Sequence, residues 1–498
     1  MKKTKSGLTK DLNLDIAGSS TYGRDPKILA CRTYNMILSD EWFVEYGGFK
    51  RVVQNALDNG RGVFTSIPGG FLLMVVYNTV YAVTVTFDTN GVPFYFSRFI
   101  GEIQTYYGDV FIDENNVGEI AICDQHQLWI YNYRTGAFTQ ANLPAGIVPA
   151  YVAQQDGRFI VPDSTTNRVY LSAVGNGLNY FWGADGNAVA LAIQTKPDRA
   201  VAAVRAPGKG NLLLVMGRTV TEPWVDVGGA LLPYQKSTSS NIDYGVLSAA
   251  TIACSDTLCV WLGINEKSGP VIIACTGVSA ETISTDGINY KLAKLVEPQK
   301  SCGFFVKLAG HLLYQLTFYG AKDNMSLIYD FTTKKFFDVS DQEMNYHPAR
   351  RAAFYNDTYF FVSLNDGNLY ELSPYYTDYD YGDGRIKEIP RVRICSNVRM
   401  PDSSRFIVNR LTFTMEQGTD YSYQQRSNEY KPRLALRNSR DGGVSFGSDA
   451  SREYNVAGFR LNRFDFWNQG AANDYVAQFR FYGRGPWKCS NGIVSIYQ

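Results

Sequence analysis

His126, His311 and His347 are all the imidazole that 498 residues offer. A metal-ligand motif shows in sequence as imidazoles at short spacing, and a nucleophile motif as one beside a group it can deprotonate. No two of these share a segment. His126 sits in a predicted turn, His311 starts a predicted strand and His347 precedes Pro348, so all three read as surface or internally satisfied side chains. Asp378-Tyr379-Asp380-Tyr381-Gly382-Asp383-Gly384 imitates the start of a calcium loop. An EF-hand needs Asp or Asn at its fifth position and Gly at its sixth. Gly382 and Asp383 stand there instead, and the stretch reads as an acidic interdomain turn. Ala206-Pro207-Gly208-Lys209-Gly210-Asn211 has a Gly-Lys pair without the spacer and Ser/Thr of a phosphate-binding loop, so it too reads as a turn. No catalytic residue, metal or cofactor is expected, and the chain is read as a non-enzyme.

Ser439-Arg440-Asp441-Gly442-Gly443-Val444-Ser445-Phe446 is more specific. It resembles the Asp-box of sialidases and related β-proteins, Ser-x-Asp-x-Gly-x-Thr-Trp, with Ser445 and Phe446 as conservative stand-ins. That likeness implies a hairpin held by the Asp side chain, away from any catalytic centre. One good copy is present; Ser284–Tyr290 is a loose echo. The box supports an alternative function, a glycan-binding or sialidase-like propeller.

The elements that must carry these residues follow from composition and repetition. Aromatics (34 Tyr, 29 Phe, 7 Trp) and 45 Gly, with only 19 % charged residues, suit many short strands joined by tight turns. A hydrophobic fraction of 45 % is enough for a sizeable core, and a net charge of +1 gives no global pull toward nucleic acid or anionic membrane. The basic start, Met1 to Lys10, lacks the apolar run of a secretory signal, so an unexported, soluble chain is expected. The eight cysteines are scattered and read as free thiols. Cys254 and Cys259 could bond only across a turn.

Apolar strand pairs around short polar turns begin at residues 72, 120, 158, 212, 257, 312 and 359. These spacings are near the ~40–50 residues of a propeller blade. Three turns share a texture rich in Asx residues: 123–129, 162–170 and 365–370. The expected fold is all-β, a β-propeller of about seven blades over 61–385, with an N-terminal arm (1–60) and a C-terminal antiparallel β-sandwich (386–498). Within the arm, Phe49, Val52, Val53, Ala56 and Leu57 fit the spacing of one short helix.

Arg32-Thr33-Tyr34-Asn35-Met36 and Tyr46-Gly47-Gly48-Phe49-Lys50-Arg51 resemble the opening of the packaged-DNA stabilisation proteins, the tail-hub or nozzle proteins of short-tailed bacteriophages. Lys196-Pro197-Asp198, Gly217-Arg218-Thr219-Val220 and Glu222-Pro223-Trp224 are similar to that family's mid-chain. Arg463-Phe464-Asp465-Phe466-Trp467-Asn468-Gln469-Gly470 and Gly485-Pro486 are similar to its end. The resemblance spans nearly the whole chain by order and spacing. It implies a structural virion protein, assembled in the host cytoplasm as a ring of about six copies. The ring would lie below the portal and head-to-tail adaptor, with a needle, fibres or tailspikes nearby. It would close the channel on packaged DNA and conduct that DNA at ejection without sequence-specific binding. Lys2, Lys3, Lys5 and Lys10 are the expected contact with the adaptor.

Overall fold

The structure is a computed structural model that describes residues 9–23, 31–229, 232–238, 241–417, 432–454 and 461–497. The described residues are 55 % strand and 3 % helix. Runs such as Phe71–Val76 and Glu119–Cys123 are buried along their whole length, as a strand covered on both faces must be. Positive-φ residues at the turns, among them Tyr77, Gln125 and Asp156, reverse the chain between strands.

Consecutive strands form six blades, over residues 60–102, 111–140, 153–192, 200–236, 245–282 and 301–339. Each is an antiparallel meander, and the fifth carries one additional short strand. The innermost strands pack side by side around one axis, and Gly60–Ser66 meets Ala349–Tyr355 to close the circle. The sequence analysis counted about seven like units, and the last of them is different in kind. Ala349–Tyr355, Thr358–Ser363 and Leu369–Ser373 take their fourth strand from Gly48–Val53, far upstream, and the sheet continues into Asp378–Asp380 and Ile386–Glu388. Beginning and end of the ring are thereby stitched in one sheet, leaving no open edge at the seam.

Gly48–Val53 is the stretch the sequence analysis read as a helix. Its apolar spacing fits a helix, and the tertiary contacts override it. Phe49 enters one core with Phe361, Tyr370 and Tyr379, while Val53 enters another with Val362 and Leu369. Gly47 and Gly48 permit this. A Cβ on Gly48 would stand 2.2 Å from the Asp378 carbonyl oxygen, and Gly47 has φ +106°. The arm is also richer in strand than expected, with Thr9–Leu14, Arg32–Tyr34, Met36–Ser39 and Trp42–Glu45.

These N-terminal strands complete a C-terminal sandwich. One sheet orders Thr9–Leu14, Gly492–Tyr497, Phe406–Gln417, Trp487–Cys489, Trp42–Glu45 and Met36–Ser39, with Leu461–Ala472 also paired to Phe406–Gln417. The facing sheet is the sixth blade itself, extended through Arg32–Tyr34, Arg391–Ile394, Asp474–Tyr482, Arg433–Ser439 and Ala450–Glu453. Between them Phe413, Phe464, Phe479, Phe481 and Trp487 share one core with Phe304, Phe337 and Phe361 of the ring. Cys254 and Cys259, expected as thiols, lie opposite each other across the turn between Ala253–Cys254 and Cys259–Ile264 and are joined by a disulfide.

Candidate functional site

The residues that converge in this chain do so at one mouth of the ring axis, where the innermost strands begin. A cavity of about 350 Å³ there is lined by Asp109, Gln125, Arg199, Arg218, Ser248 and Gln299, among others. Beside it the seam of the ring is locked by two buried arginines. Arg350, on the innermost strand of the closing sheet, sets Nε 2.8 Å from an Asp109 oxygen and donates Nη1 to Asn59 Oδ1 (2.8 Å) and the Gly60 carbonyl (3.2 Å). One guanidinium thus ties the closing sheet to the first two blades. Burial opposes its charge, but the Asp109 carboxylate outweighs that and holds its pKa above the usual arginine value. Arg61 donates to the carbonyls of Tyr77, Thr105, Tyr107 and Gly108. Burial, aided by the neighbouring Arg350 cation, outweighs the attraction of Asp124 and Asp109 and pushes it down to about 10. Further in, Arg351 lies 5.1 Å from the Phe111 ring centroid.

A second device recurs around the same face. Each connector that enters an innermost strand must turn sharply, which leaves its backbone N–H groups in want of acceptors. In four blades an acidic side chain of the entered blade supplies one. Asp124 accepts from Gln104 and Thr105 N–H, each at 3.2 Å, and Asp163 from Val148 N–H at 3.3 Å. Glu222 accepts from Gln194 and Thr195 N–H, and Asp323 from Val296 and Glu297 N–H. In the closing sheet Asn368 Oδ1 accepts from Asn55 N–H at 2.9 Å. The same Asp124 and Asp163 carboxylates also cap their own turns, at His126, Gln127 and Thr165. Burial alone would raise Glu222 and Asp163, but the donated hydrogen bonds from Thr195, and from Thr166 and Thr165, hold both below the usual carboxylate range.

The texture shared by turns 123–129, 162–170 and 365–370 is the visible trace of this device. Glu222 and Asp323 do the same work without that texture, and nothing local in sequence marks Arg350 or Asp109 as a pair. The other candidate residues are dispersed. His126 is exposed on its turn. His311 Nδ1 lies 2.8 Å from Asp330, and His347 is enclosed by Tyr46, Phe49 and Phe361, where burial pushes it down to about 3. Asp378–Asp380 is a strand rather than a turn, and Asp383 receives both ends of the Arg51 guanidinium at 2.7 Å. Asp441 of the Asp-box accepts from Val444 and Ser445 N–H (3.1 and 3.0 Å) and from Ser445 Oγ (2.6 Å), bracing the hairpin after Arg433–Ser439. That hairpin belongs to the sandwich, away from the ring axis. Among the described residues no three His, Cys, Asp or Glu side chains are grouped to hold a metal. Lys2, Lys3 and Lys5 lie outside the described residues. Lys10 is exposed on Thr9–Leu14, a strand paired to Gly492–Tyr497 and therefore no longer part of a free arm.

The ring and its pinned connectors coincide with a known family. The family model described as Phage_stabilise, bacteriophage P22 Gp10, β-propeller, matches residues 100–374, from the end of the first blade to the closing sheet. The chain belongs to this family. As a Phage_stabilise protein it is a bacteriophage structural protein that stabilises DNA, and so a component of the virion. No curated protein matches it. Among solved structures it is similar to the N-terminal domain of Nup159 (9 % identity, 68 % of this chain and 96 % of that one, TM-score 0.41). It is also similar to virginiamycin B lyase from Staphylococcus aureus (13 % identity, 74 % and 99 %, TM-score 0.39). No helix of the described residues is long and apolar enough to cross a membrane.

Proposed function

We propose that this Phage_stabilise protein is the tail hub, or nozzle, of a short-tailed bacteriophage. Several copies form a ring beneath the portal and adaptor, closing the channel on packaged DNA and conducting it at ejection. Family membership over residues 100–374 is the observation that carries this reading. A conduit of this kind is built from several copies around a common axis. A net charge of +1 suits such a wall, because a strongly basic lumen would grip phosphates and slow transit. The role is architectural rather than enzymatic, with the adaptor, portal and tail appendages as neighbours.

The test is the number of copies per purified particle, measured by quantitative mass spectrometry against the portal protein. About six copies beside a twelve-fold portal are expected for a cyclic hub. Absence of the chain from the particle would end this reading.

A further inference from the structure

The cavity at the mouth of the ring axis takes no part in the reading above, and two arginines on its wall stand unpaired. Ala200 pairs with Gly217 on the two inner strands of the fourth blade. Arg199 and Arg218, one residue beyond that pair, therefore lie side by side at the mouth, and both line the cavity. Asp198 fixes this end of the blade. Its carboxylate accepts from Arg199 N–H at 2.9 Å and from Thr219 N–H and Oγ1 at 2.7 and 3.1 Å. One carboxylate, spent on backbone and hydroxyl donors, thus stands beside two guanidiniums.

The other acids nearby are engaged as well. Asp109, on the same wall, faces Arg350 Nε at 2.8 Å. Asp124 and Asp163 hold connector and turn N–H groups. Asp243 and Glu266 take Lys196, at 3.1 and 3.8 Å. Neither the Arg199 nor the Arg218 guanidinium has an ion pair or a hydrogen bond among the described residues. Like charges set opposite each other across a strand pair are unfavourable unless something neutralises them. Further along the axis Arg351 adds to the imbalance, with Nε and Nη2 buried and without a hydrogen-bond partner. Gln125 and Gln299 bring exposed amides to the same wall, and each amide nitrogen carries two more donors.

We infer that this mouth is an anion site, in which Arg199 and Arg218 together bind the phosphate of a phosphate monoester. Three features select that chemistry. Paired guanidiniums present planar forks that match phosphate oxygens two at a time. A phosphate monoester carries nearly two negative charges at pH 7, enough to neutralise both arginines, where a single carboxylate leaves one positive charge over. The cavity, about 350 Å³, is at the lower end of the range for small-ligand sites, which suits a phosphate and the group that bears it. Two sources present the same oxygens: a small phosphorylated molecule, and the phosphorylated end of a DNA strand. The site belongs to each copy by itself, so the inference does not rest on the ring.

The experiment is calorimetric titration of the purified full chain, in phosphate-free buffer at low salt. The probes are inorganic phosphate and a short DNA duplex with either 5′-phosphate or 5′-hydroxyl ends. Arg199→Gln/Arg218→Gln removes both forks at exposed positions, and Arg134→Gln/Arg452→Gln removes the same charge at exposed positions elsewhere. Circular dichroism checks the fold. Inorganic phosphate should bind saturably to wild type and to the Arg134/Arg452 control. Arg199→Gln or Arg218→Gln alone should weaken it about tenfold, and the double variant should lose it. If the Gln pair does not fold, Arg199→Lys/Arg218→Lys replaces it and should still weaken binding, because the charge stays and the forks go. A preference for the 5′-phosphate duplex that depends on the same arginines assigns the DNA end. Phosphate binding with no preference between the duplexes assigns a small molecule. No saturable binding of either phosphate probe, or binding that the double variant keeps or the control loses equally, would overturn the site.

Discussion

Arg350 joins three parts of the ring, because it stands on the closing sheet and its partners belong to the first two blades. Removing it leaves Asp109 without its cation beside the axis. Arg350→Met should therefore cost about 3 kcal/mol in urea unfolding, and the double variant with Asp109→Leu should cost less than the sum of the two. Strict additivity would show that the pair is not coupled. The carboxylate pins predict an acid limb. Glu222 and Asp163 titrate below the usual carboxylate range when folded, so their stabilisation is complete above about pH 5 and lost as pH falls through 4 and below. Glu222→Gln keeps the shape and loses the charge. It should cost about 1–3 kcal/mol at pH 7, and the gap from wild type should close toward pH 3. A gap constant with pH would mean that the charge is irrelevant. His347 acts in a different window. Its folded pKa is depressed to about 3 by burial, so its neutral form stabilises fully above pH 6.5 and progressively less below. His347→Phe should therefore be better tolerated at pH 5 than at pH 7 in a melting-temperature comparison. Of these residues, Asp124, Asp163 and Asn368 were legible in the sequence as turn formers. Their second task was not, because the N–H groups they hold come from connectors between 15 residues away (Val148) and 313 residues away (Asn55).

At the scale of elements, strand pairs were legible because both members of a hairpin lie within one short window. Alternation and turn residues then specify them locally. The Gly48–Val53 strand was not legible, because its neighbours are Leu369–Ser373 and Asp378–Asp380, more than 300 residues downstream. With five apolar positions at helical spacing and the partner sheet unseen, the period pointed to a helix. What did survive in sequence was Tyr46-Gly47-Gly48-Phe49, whose glycines give the close approach that the stitch needs. A methyl on Gly48 would stand 2.2 Å from the Asp378 carbonyl oxygen, closer than any real Cβ contact. Gly48→Ala should therefore lower stability by more than the ~1 kcal/mol typical of point mutations. It should also speed hydrogen exchange in residues 369–380 ahead of the other blades. Unchanged protection there would show that the seam tolerates the shift. Phe49→Ala, which empties a site ringed by Phe361, Tyr370 and Tyr379, should cost about 3–5 kcal/mol.

For the whole molecule, the expected partition into arm, propeller and sandwich describes the order of the chain better than its cohesion. The sixth blade and one layer of the sandwich are a single ten-stranded sheet, and the other layer includes strands from before residue 46. Ring residues Phe304, Phe337 and Phe361 share a core with Phe413, Phe481 and Trp487. Cutting between the two parts would expose a continuous apolar face, where a linker-joined pair of domains would lose only a modest interface. The molecule should then unfold in one calorimetric transition, although chains of this length often show several. A fragment ending at residue 385 should fail to reach native ellipticity, because it lacks the strands that cover the sixth blade. Two resolved transitions, or a stable 1–385 fragment, would show that the shared sheet does not couple the parts.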